Sequence, residues 1–282
     1  MEFEDIGYGV ERGVATIIFR RPEVMNAARM RTHRELVAAL DLADADPAAK
    51  VVIVTGEGRA FCAGTDLSQG FDVPAGGDPA TGEGVPSDIG GLTVLRLYRM
   101  RKPVIAAING AAVGFGATFT LAMDVRLAAE GAKFAFPFTR RGICAESCSS
   151  WFLPRLVGMQ VAQEWMLSGR TFLADEAAAR GLVLEVLPPD ALLARAGEMA
   201  RDMVENCAPG SMALNRQLLW RMAGAAHPLE AHLLESRGIV DRVAGPDAAE
   251  GVAAFRERRA PDFTGDVSDT DYTRRWWPDS AG

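Results

Sequence analysis

The sequence predicts an α/β core followed by a helical C-terminal region, and three observations support this fold class. Apolar runs at residues 14–19, 51–54 and 104–108 have the composition of strands, and segments of helical periodicity lie between them. From about residue 191 onward the pattern is wholly helical, with Ala, Leu, Met and Glu in amphipathic spacing. Two of the apolar runs lead into turns rich in small residues. Alternating strands and helices followed by a run of helices are typical of an α/β core with a helical extension.

In the first part of the chain, the apolar pattern predicts each element in turn. The strand at 14–19 ends at Arg21-Pro22, and the segment after it repeats apolar residues at the spacing of a helix. These residues are Leu36, Ala39, Leu40 and Ala43. The run at 51–54 is fully apolar, as in a parallel strand that is buried on both faces. Residues 69–91 are dense in Gly, Pro, Asp and Ser, which predicts a long loop.

Shorter elements are predicted beyond this loop. A helix covers about 92–98, and Pro103 marks the start of the strand at 104–108. Strands are then predicted at 125–128 and 134–136, and helices at 160–167 and 174–180.

Composition and charge argue against several classes of protein. The 282 residues are enough for one large core or for a core with a smaller appendage. The net charge of −7 argues against a nucleic-acid-binding protein, whose surface is basic. No apolar run reaches the roughly 20 residues that a membrane-spanning helix needs, and the acidic N-terminus does not resemble a signal peptide. We therefore expect a cytoplasmic protein that binds neither nucleic acid nor a membrane.

The cysteines do not indicate a metal site. Cys144 and Cys148 are close in sequence, but no second Cys or His cluster completes a set of zinc ligands. We expect free thiols and no bound metal.

Two short segments carry the strongest functional signal. They are Phe-Cys-Ala-Gly-Thr-Asp-Leu at 61–67 and Asn-Gly-Ala-Ala-Val-Gly-Phe-Gly at 109–116, and each follows a predicted strand. A turn of small residues between a strand and a helix leaves backbone N–H groups unpaired and pointing in one direction. Two such turns that face each other offer two donors to one oxygen atom. This arrangement is an oxyanion hole, which stabilises negative charge on a carbonyl oxygen during a reaction.

Three further blocks accompany these turns. They are Arg-Pro-Glu-Val-Met-Asn-Ala at 21–27, Lys-Pro-Val-Ile-Ala-Ala-Ile-Asn-Gly at 102–110 and Glu-Gly-Val-Ala-Ala-Phe at 250–255. With these five ordered blocks, the chain resembles the crotonase superfamily, the enoyl-CoA hydratase/isomerase family of acyl-CoA enzymes. The resemblance implies a crotonase-like ββα spiral core over 1–195 that holds the acyl-CoA site. It also implies a helical region at 196–265 that builds a homotrimer or hexamer, and a tail at 266–282.

The resemblance assigns roles to residues of the two turns. In relatives of this kind, one donor precedes the Gly of the first turn and the other lies in the middle of the second, which places the donors at Ala63 and Phe115. The second donor is usually a glycine, so the ring of Phe115 has to find room near the acyl pocket. The resemblance also implies that Gly64 of the first turn contributes to the coenzyme A site, together with Asp66, which matches an acid that orders the adenine-binding loop.

The carboxylates of the family pattern are partly replaced. Hydratases of this family use two glutamates, and this chain has Thr118 and Phe138 at their positions. One acid, Glu146, lies in a segment that resembles Δ3,Δ2-enoyl-CoA isomerases, whose single glutamate occupies this position. A double-bond shift needs one base, so isomerisation fits better than hydration. For Asp124, a second acid in this part of the sequence, we expect a structural role.

The resemblance implies that coenzyme A enters as part of the thioester substrate and that no separate cofactor is needed. Phe255 and Arg258 match residues that contact the adenine and the 3′-phosphate, often from a neighbouring subunit. The alternative for these two residues is an exposed basic helix end with Phe255 in the core. For the whole chain, the alternatives are an enoyl-CoA hydratase and a catalytically silent member that binds acyl-CoA or a partner.

Overall fold

The fold is that of a computed structural model, which describes residues 3–70, 85–268, 270 and 276. The strands in this part of the chain are β1 (Ile6–Glu11), β2 (Val14–Phe19), β3 (Val51–Gly56), β4 (Ala60–Cys62), β5 (Val104–Ile108), β6 (Ala111–Val113), β7 (Val125–Ala129), β8 (Lys133–Ala135), β9 (Thr171–Leu173) and β10 (Glu185–Leu187). The helices are α1 (Met30–Ala45), α2 (Ile89–Tyr98), α3 (Phe115–Thr118), α4 (Ser149–Val157), α5 (Met159–Ser168), α6 (Ala174–Ala179), α7 (Leu192–Asn206), α8 (Pro209–Met222), α9 (Pro228–Ala244) and α10 (Pro246–Glu257).

The strands form two sheets that the chain visits alternately. The larger sheet has the order β1-β2-β3-β5-β7-β10, and the smaller has the order β4-β6-β8-β9. β3, β5 and β7 lie in the larger sheet, the strands that follow them lie in the smaller one, and a helix comes after each pair. This is the ββα repeat that the resemblance implies. β3 and β5 are parallel neighbours that are buried almost throughout, which explains their continuous apolar runs.

The structure adds the short strands β4, β6, β9 and β10, which were not predicted, and two further differences from the prediction have clear local causes. β1 was not predicted, and it pairs antiparallel with β2 through a tight turn in which Arg12 and Gly13 both have positive φ. α2 begins at Ile89, three residues earlier than predicted, because the carboxylate of Asp88 accepts hydrogen bonds from Gly90 N–H and Gly91 N–H at 3.0 and 2.9 Å. The two glycines had favoured a loop, whereas the aspartate before them is a helix N-cap.

The first of the C-terminal helices, α7, packs against the larger sheet. Leu192, Ala196 and Ala200 of α7 pack with apolar residues of β3, β5 and β7 in a second hydrophobic cluster. The predicted boundary at 195/196 thus falls inside a helix that covers the larger sheet. Arg216 of α8 is buried, and its guanidinium donates to the carboxylate of Asp124 at 2.8 Å and to main-chain carbonyls at the end of α2. Asp124 is therefore structural, as predicted.

Parts of two predicted segments lie outside the described residues, namely 71–84 of the loop and most of the tail at 266–282. Across the ranges that the structure describes, no helix has the length and apolar character needed to cross a bilayer.

Candidate functional site

The two predicted turns lie against each other. β4 and β6 are parallel neighbours in the smaller sheet, so the turns that follow them leave the sheet at the same edge. A Cβ atom on Gly64 would lie 2.8 Å from the carbonyl oxygen of Val113, and one on Gly116 would overlap the carbonyl oxygen of Cys62. Only glycine permits such close contact between two backbones. The sequence pattern therefore predicts this contact correctly.

The backbone N–H of Phe115 is available to a ligand. Phe115 is the first residue of α3, and the N–H groups of the first turn of a helix have no partner within the helix. The N–H groups of Ala117 and Thr118 both donate to the carbonyl oxygen of Gly114 at 2.9 Å. Among the described residues, no acceptor is bonded to the N–H of Phe115.

The ring of Phe115 finds its room in the protein core. It stacks on Phe119 with a centroid distance of 5.3 Å, and it lies 4.3 Å from the imidazole of His33. The residue is only 2% exposed. The departure from glycine at this position is thus accommodated by packing behind the turn.

The structure corrects the donor predicted in the first turn. The N–H of Ala63 donates to the carbonyl oxygen of Met25 at 3.0 Å, so it is not free to bind a substrate oxygen. Gly64 then has a φ of +100°, which changes the direction of the chain before the next residues. The family pattern located the turn correctly, but the direction of each N–H depends on this backbone angle.

Thr65 offers the better donor in the first turn. It forms a parallel bridge with Ala28, and the hydrogen bonds of this bridge come from its neighbours on either side. Ala28 N–H donates to Gly64 O at 2.7 Å, and Asp66 N–H donates to Ala28 O at 2.8 Å. The N–H of Thr65 itself therefore points away from Ala28. Within the described ranges, it has no hydrogen-bond acceptor.

Glu146 lies beside the second turn. Its Oε1 accepts a hydrogen bond from the hydroxyl of Thr118 at 2.6 Å, and Thr118 ends the short helix that Phe115 begins. Its Oε2 accepts a hydrogen bond from the hydroxyl of Ser147. α2 lies close to the same oxygen, since a Cβ atom on Gly90 would be 2.5 Å from Oε2. The structure thus brings together Glu146 and Phe115, which are 31 positions apart in the sequence.

These surroundings raise the pKa of Glu146 from 4.5 to about 7. Burial is the main cause because it disfavours the charged form, and the hydrogen bonds from Ser147 and Thr118 oppose it. The negative charge of Asp88 raises the pKa further. A carboxyl group with a pKa near neutrality can both accept and return a proton at pH 7.

Asp66 orders the chain directly after the first turn. Its carboxylate accepts hydrogen bonds from the N–H of Ser68 at 3.1 Å and from the guanidinium of Arg21 at 3.0 Å. It caps the short helical turn Leu67–Gln69. The predicted contact of this loop with adenine remains a prediction.

Phe255 and Arg258 lie at the end of α10, and both are exposed. Phe255 is 85% exposed, so the alternative that places it in the core is wrong. In the part of the chain that the structure describes, neither residue forms a hydrogen bond, ion pair or ring contact with the residues around Glu146. Their predicted contact with coenzyme A remains a prediction.

Besides Thr65, sequence reasoning missed two residues near the candidate site. Asp88 lay in the predicted loop, although an Asp directly before a possible helix is the signal of an N-cap. His33 lay outside every motif, and the structure buries it with Nδ1 3.1 Å from the hydroxyl of Thr93. Burial lowers the pKa of His33 to about 4, so its imidazole is neutral at pH 7.

Comparison with known proteins shows similarity to enzymes that act on coenzyme A thioesters. The family model described as enoyl-CoA hydratase/isomerase matches residues 9–266. The enoyl-CoA hydratase ACTT3 of Alternaria alternata is 40% identical over 252 residues, which cover 89% of this chain and 83% of that protein. The 1,2-epoxyphenylacetyl-CoA isomerase of Escherichia coli K12 is 34% identical over 258 residues, which cover 91% of this chain and 97% of that protein.

A solved structure has the same fold. The crystal structure of an enoyl-CoA hydratase from Bacillus anthracis matches with a TM-score of 0.85 and 30% identity. The match covers 93% of this chain and 100% of that one.

Proposed function

This chain belongs to the enoyl-CoA hydratase/isomerase family of acyl-CoA enzymes, and we propose that it moves the double bond of a 3-enoyl-CoA to the 2-position. The observation that supports this proposal most directly is the set of groups around Glu146. One carboxyl with a raised pKa lies beside a turn with an N–H that has no acceptor in the described part of the chain, and Thr118 and Phe138 stand where hydratases have glutamates. A double-bond shift requires one proton carrier, whereas two-glutamate hydration requires two.

In the proposed reaction, the carboxylate of Glu146 takes a proton from C2 of the substrate. The electrons of the C2–H bond form the C1–C2 double bond of a dienolate, which keeps its C3–C4 double bond, and the carbonyl π electrons move onto the thioester oxygen as negative charge. The N–H groups of Thr65 and Phe115 bind this oxygen. Glu146 then returns its proton to C4, which yields the conjugated 2-enoyl-CoA and restores the carboxylate.

We propose a homotrimer or hexamer, in which Phe255 and Arg258 of one subunit contact the coenzyme A bound by a neighbour. Phe255 of α10 is 85% exposed, and several apolar side chains of the preceding helix α9 are more than half exposed, namely Leu229, Leu233, Ile239, Val240 and Val243. Exposed apolar patches of this kind mark interaction sites in soluble proteins.

Hydration is the second candidate. The relative with 40% identity has the name enoyl-CoA hydratase. In this case, Glu146 would have to activate a water molecule held near Thr118, because threonine does not take up a proton at neutral pH. A member that binds acyl-CoA without turnover is the third candidate.

The test compares two substrates with the same enzyme. We expect conversion of a 3-enoyl-CoA to the conjugated ester, measured by its absorbance, and little addition of water to a 2-enoyl-CoA. The rate should rise with pH through about 7, because only the deprotonated Glu146 accepts the C2 proton. Glu146→Gln should lower kcat by at least about a thousandfold while coenzyme A thioesters still bind. Full activity of this variant would disprove the assignment of the base, and faster water addition than isomerisation would favour the hydratase.

A further inference from the structure

The chain segment that carries Glu146 has an unusual backbone. Ser147 and Cys148 both have a φ of +55°, in the left-handed region that residues other than glycine and asparagine rarely adopt. Each such residue costs on the order of 1 kcal/mol and persists only where its surroundings hold it in place. The direction of the Glu146 side chain depends on this turn.

Two sets of hydrogen bonds hold the turn. On one side, the carbonyl oxygen of Glu146 accepts from the N–H and the hydroxyl of Ser149 at 3.0 and 2.6 Å. On the other side, the N–H of Ser147 donates to Oδ2 of Asp88 at 2.6 Å. The Asp88 carboxylate is thus the tertiary contact that fixes the peptide following Glu146.

The same carboxylate occupies the first N–H groups of α2. Oδ1 accepts from Gly90 and Oδ2 accepts from Gly91, at 3.0 and 2.9 Å. Gly90 also lies close to Glu146, because a Cβ atom on Gly90 would be 2.5 Å from Oε2. Without Asp88, the N–H groups of Gly90 and Gly91 would lose their acceptor beside Glu146, and a helix N-terminus binds anions well.

We propose that Asp88 is a positioning residue for Glu146, which fixes the strained turn at 147–148 and keeps the N-terminus of α2 from capturing the Glu146 carboxylate. This inference rests on the proposed function of Glu146 as the base. Asp88 acts on Glu146 through the backbone of Ser147 and through the donors that it occupies.

We expect loss of Asp88 to lower the pKa of Glu146. Among the described residues, the titratable groups that interact with Glu146 are Asp88 before α2, Cys62 of β4 and Cys148 before α4. Burial raises the pKa of Cys62 to about 12 and also raises that of Cys148, so both thiols are neutral near pH 7. Removing Asp88 takes away a negative charge and frees two N–H donors. Both changes favour the carboxylate form and lower the pKa of Glu146.

The experiment measures kcat, KM and the pH profile of the full chain with Asp88→Ala and Asp88→Asn. We expect Asp88→Ala to lower kcat at least tenfold with KM changed less than twofold, and to shift the rising limb of the pH profile to lower pH. Asp88→Asn keeps an acceptor and should recover part of kcat. His227→Ala is the matched control, because it removes the N-cap of α9, where His227 Nδ1 accepts from Leu229 N–H at 3.1 Å.

A second measurement does not depend on turnover. Hydrogen exchange of peptides covering 143–152 should be faster in Asp88→Ala than in the wild type, because the N–H of Ser147 loses its acceptor. Unchanged exchange, or an unchanged pH profile in an active variant, would overturn the role of Asp88. If the wild type converts no 3-enoyl-CoA while exchange rises as expected, the proposed function fails and the structural contact stands.

Discussion

At the scale of single residues, the chemistry of Glu146 is set by opposing effects on one carboxyl group. Burial raises its pKa, whereas the hydroxyls of Ser147 and Thr118 stabilise its charged form. Thr118 stands where relatives of the hydratase type have a glutamate, so the same position contributes a hydrogen bond here instead of a second acid.

Replacing Thr118 with Val should therefore raise the pKa of Glu146 above about 7. A rise of about one unit leaves about one-fifth as much carboxylate at pH 7, so the rate should fall about fivefold at this pH and recover at pH 9. The measurement is the pH dependence of kcat/KM. Thr120→Val is the control, because Thr120 is buried in the next turn and donates to Ala117 O at 2.7 Å. A profile that moves to lower pH would contradict this account.

At the scale of elements, α2 forms one wall of the candidate site. Its first turn lies so close to Glu146 that the position facing the carboxylate has to be a glycine. This glycine is in a helix, where Ala is favoured over Gly by up to about 1 kcal/mol. At position 90, helix stability therefore favours Ala, whereas the space needed by the Glu146 side chain requires Gly.

Gly90→Ala tests which of these effects matters for function. The added Cβ atom would overlap Oγ of Ser147 and lie 2.5 Å from Oε2 of Glu146, so we expect both side chains to move and kcat to fall at least tenfold. The free energy of unfolding in urea should stay within about 1 kcal/mol of the wild type. Gly251→Ala in α10 is the control, because its nearest neighbour would be Phe263 at 3.7 Å. Normal activity of Gly90→Ala would show that the carboxylate does not need this space.

At the scale of the whole molecule, the C-terminal helices combine one anchored end with an exposed apolar surface. Arg216 fixes α8 to the core through Asp124. On α9, by contrast, Leu233, Val240 and Val243 are 52%, 71% and 65% exposed. A folded monomer gains nothing from this exposure, whereas a neighbouring subunit would bury it.

The proposed assembly gives a measurable prediction. The chain has a mass of 30.2 kDa, and sedimentation should show three or six times this mass. Val240→Asp should shift the protein toward monomer and weaken coenzyme A binding, because the neighbour would no longer present Phe255 and Arg258. Leu167→Asp on α5 is the control, since Leu167 is also 71% exposed but lies outside the C-terminal helices. A wild-type monomer with full activity would disprove the assembly.

Much of the core was predictable because its signals are local. β3 and β5 are buried on both faces, which gives each of them a continuous apolar run. α1 is buried on one face, which gives the helical spacing of the apolar residues from Leu36 to Ala43. β1 was missed because its glycines interrupt the apolar alternation that is typical of a strand. Its extended conformation is stabilised by antiparallel pairing with β2. The start of α2 was missed because two glycines concealed an N-cap.

The sequence by itself determined the alternating α/β core, the two glycine turns and the presence of a single acid in the isomerase-like segment. Each of these depends on residues that are close together along the chain. Only the tertiary structure decided that Ala63 N–H is bonded to Met25, that the N–H of Thr65 has no acceptor among the described residues, and that Asp88 accepts from the N–H of Ser147 after Glu146. These facts depend on the φ of Gly64 and on contacts between distant segments, and no local pattern of residues specifies them.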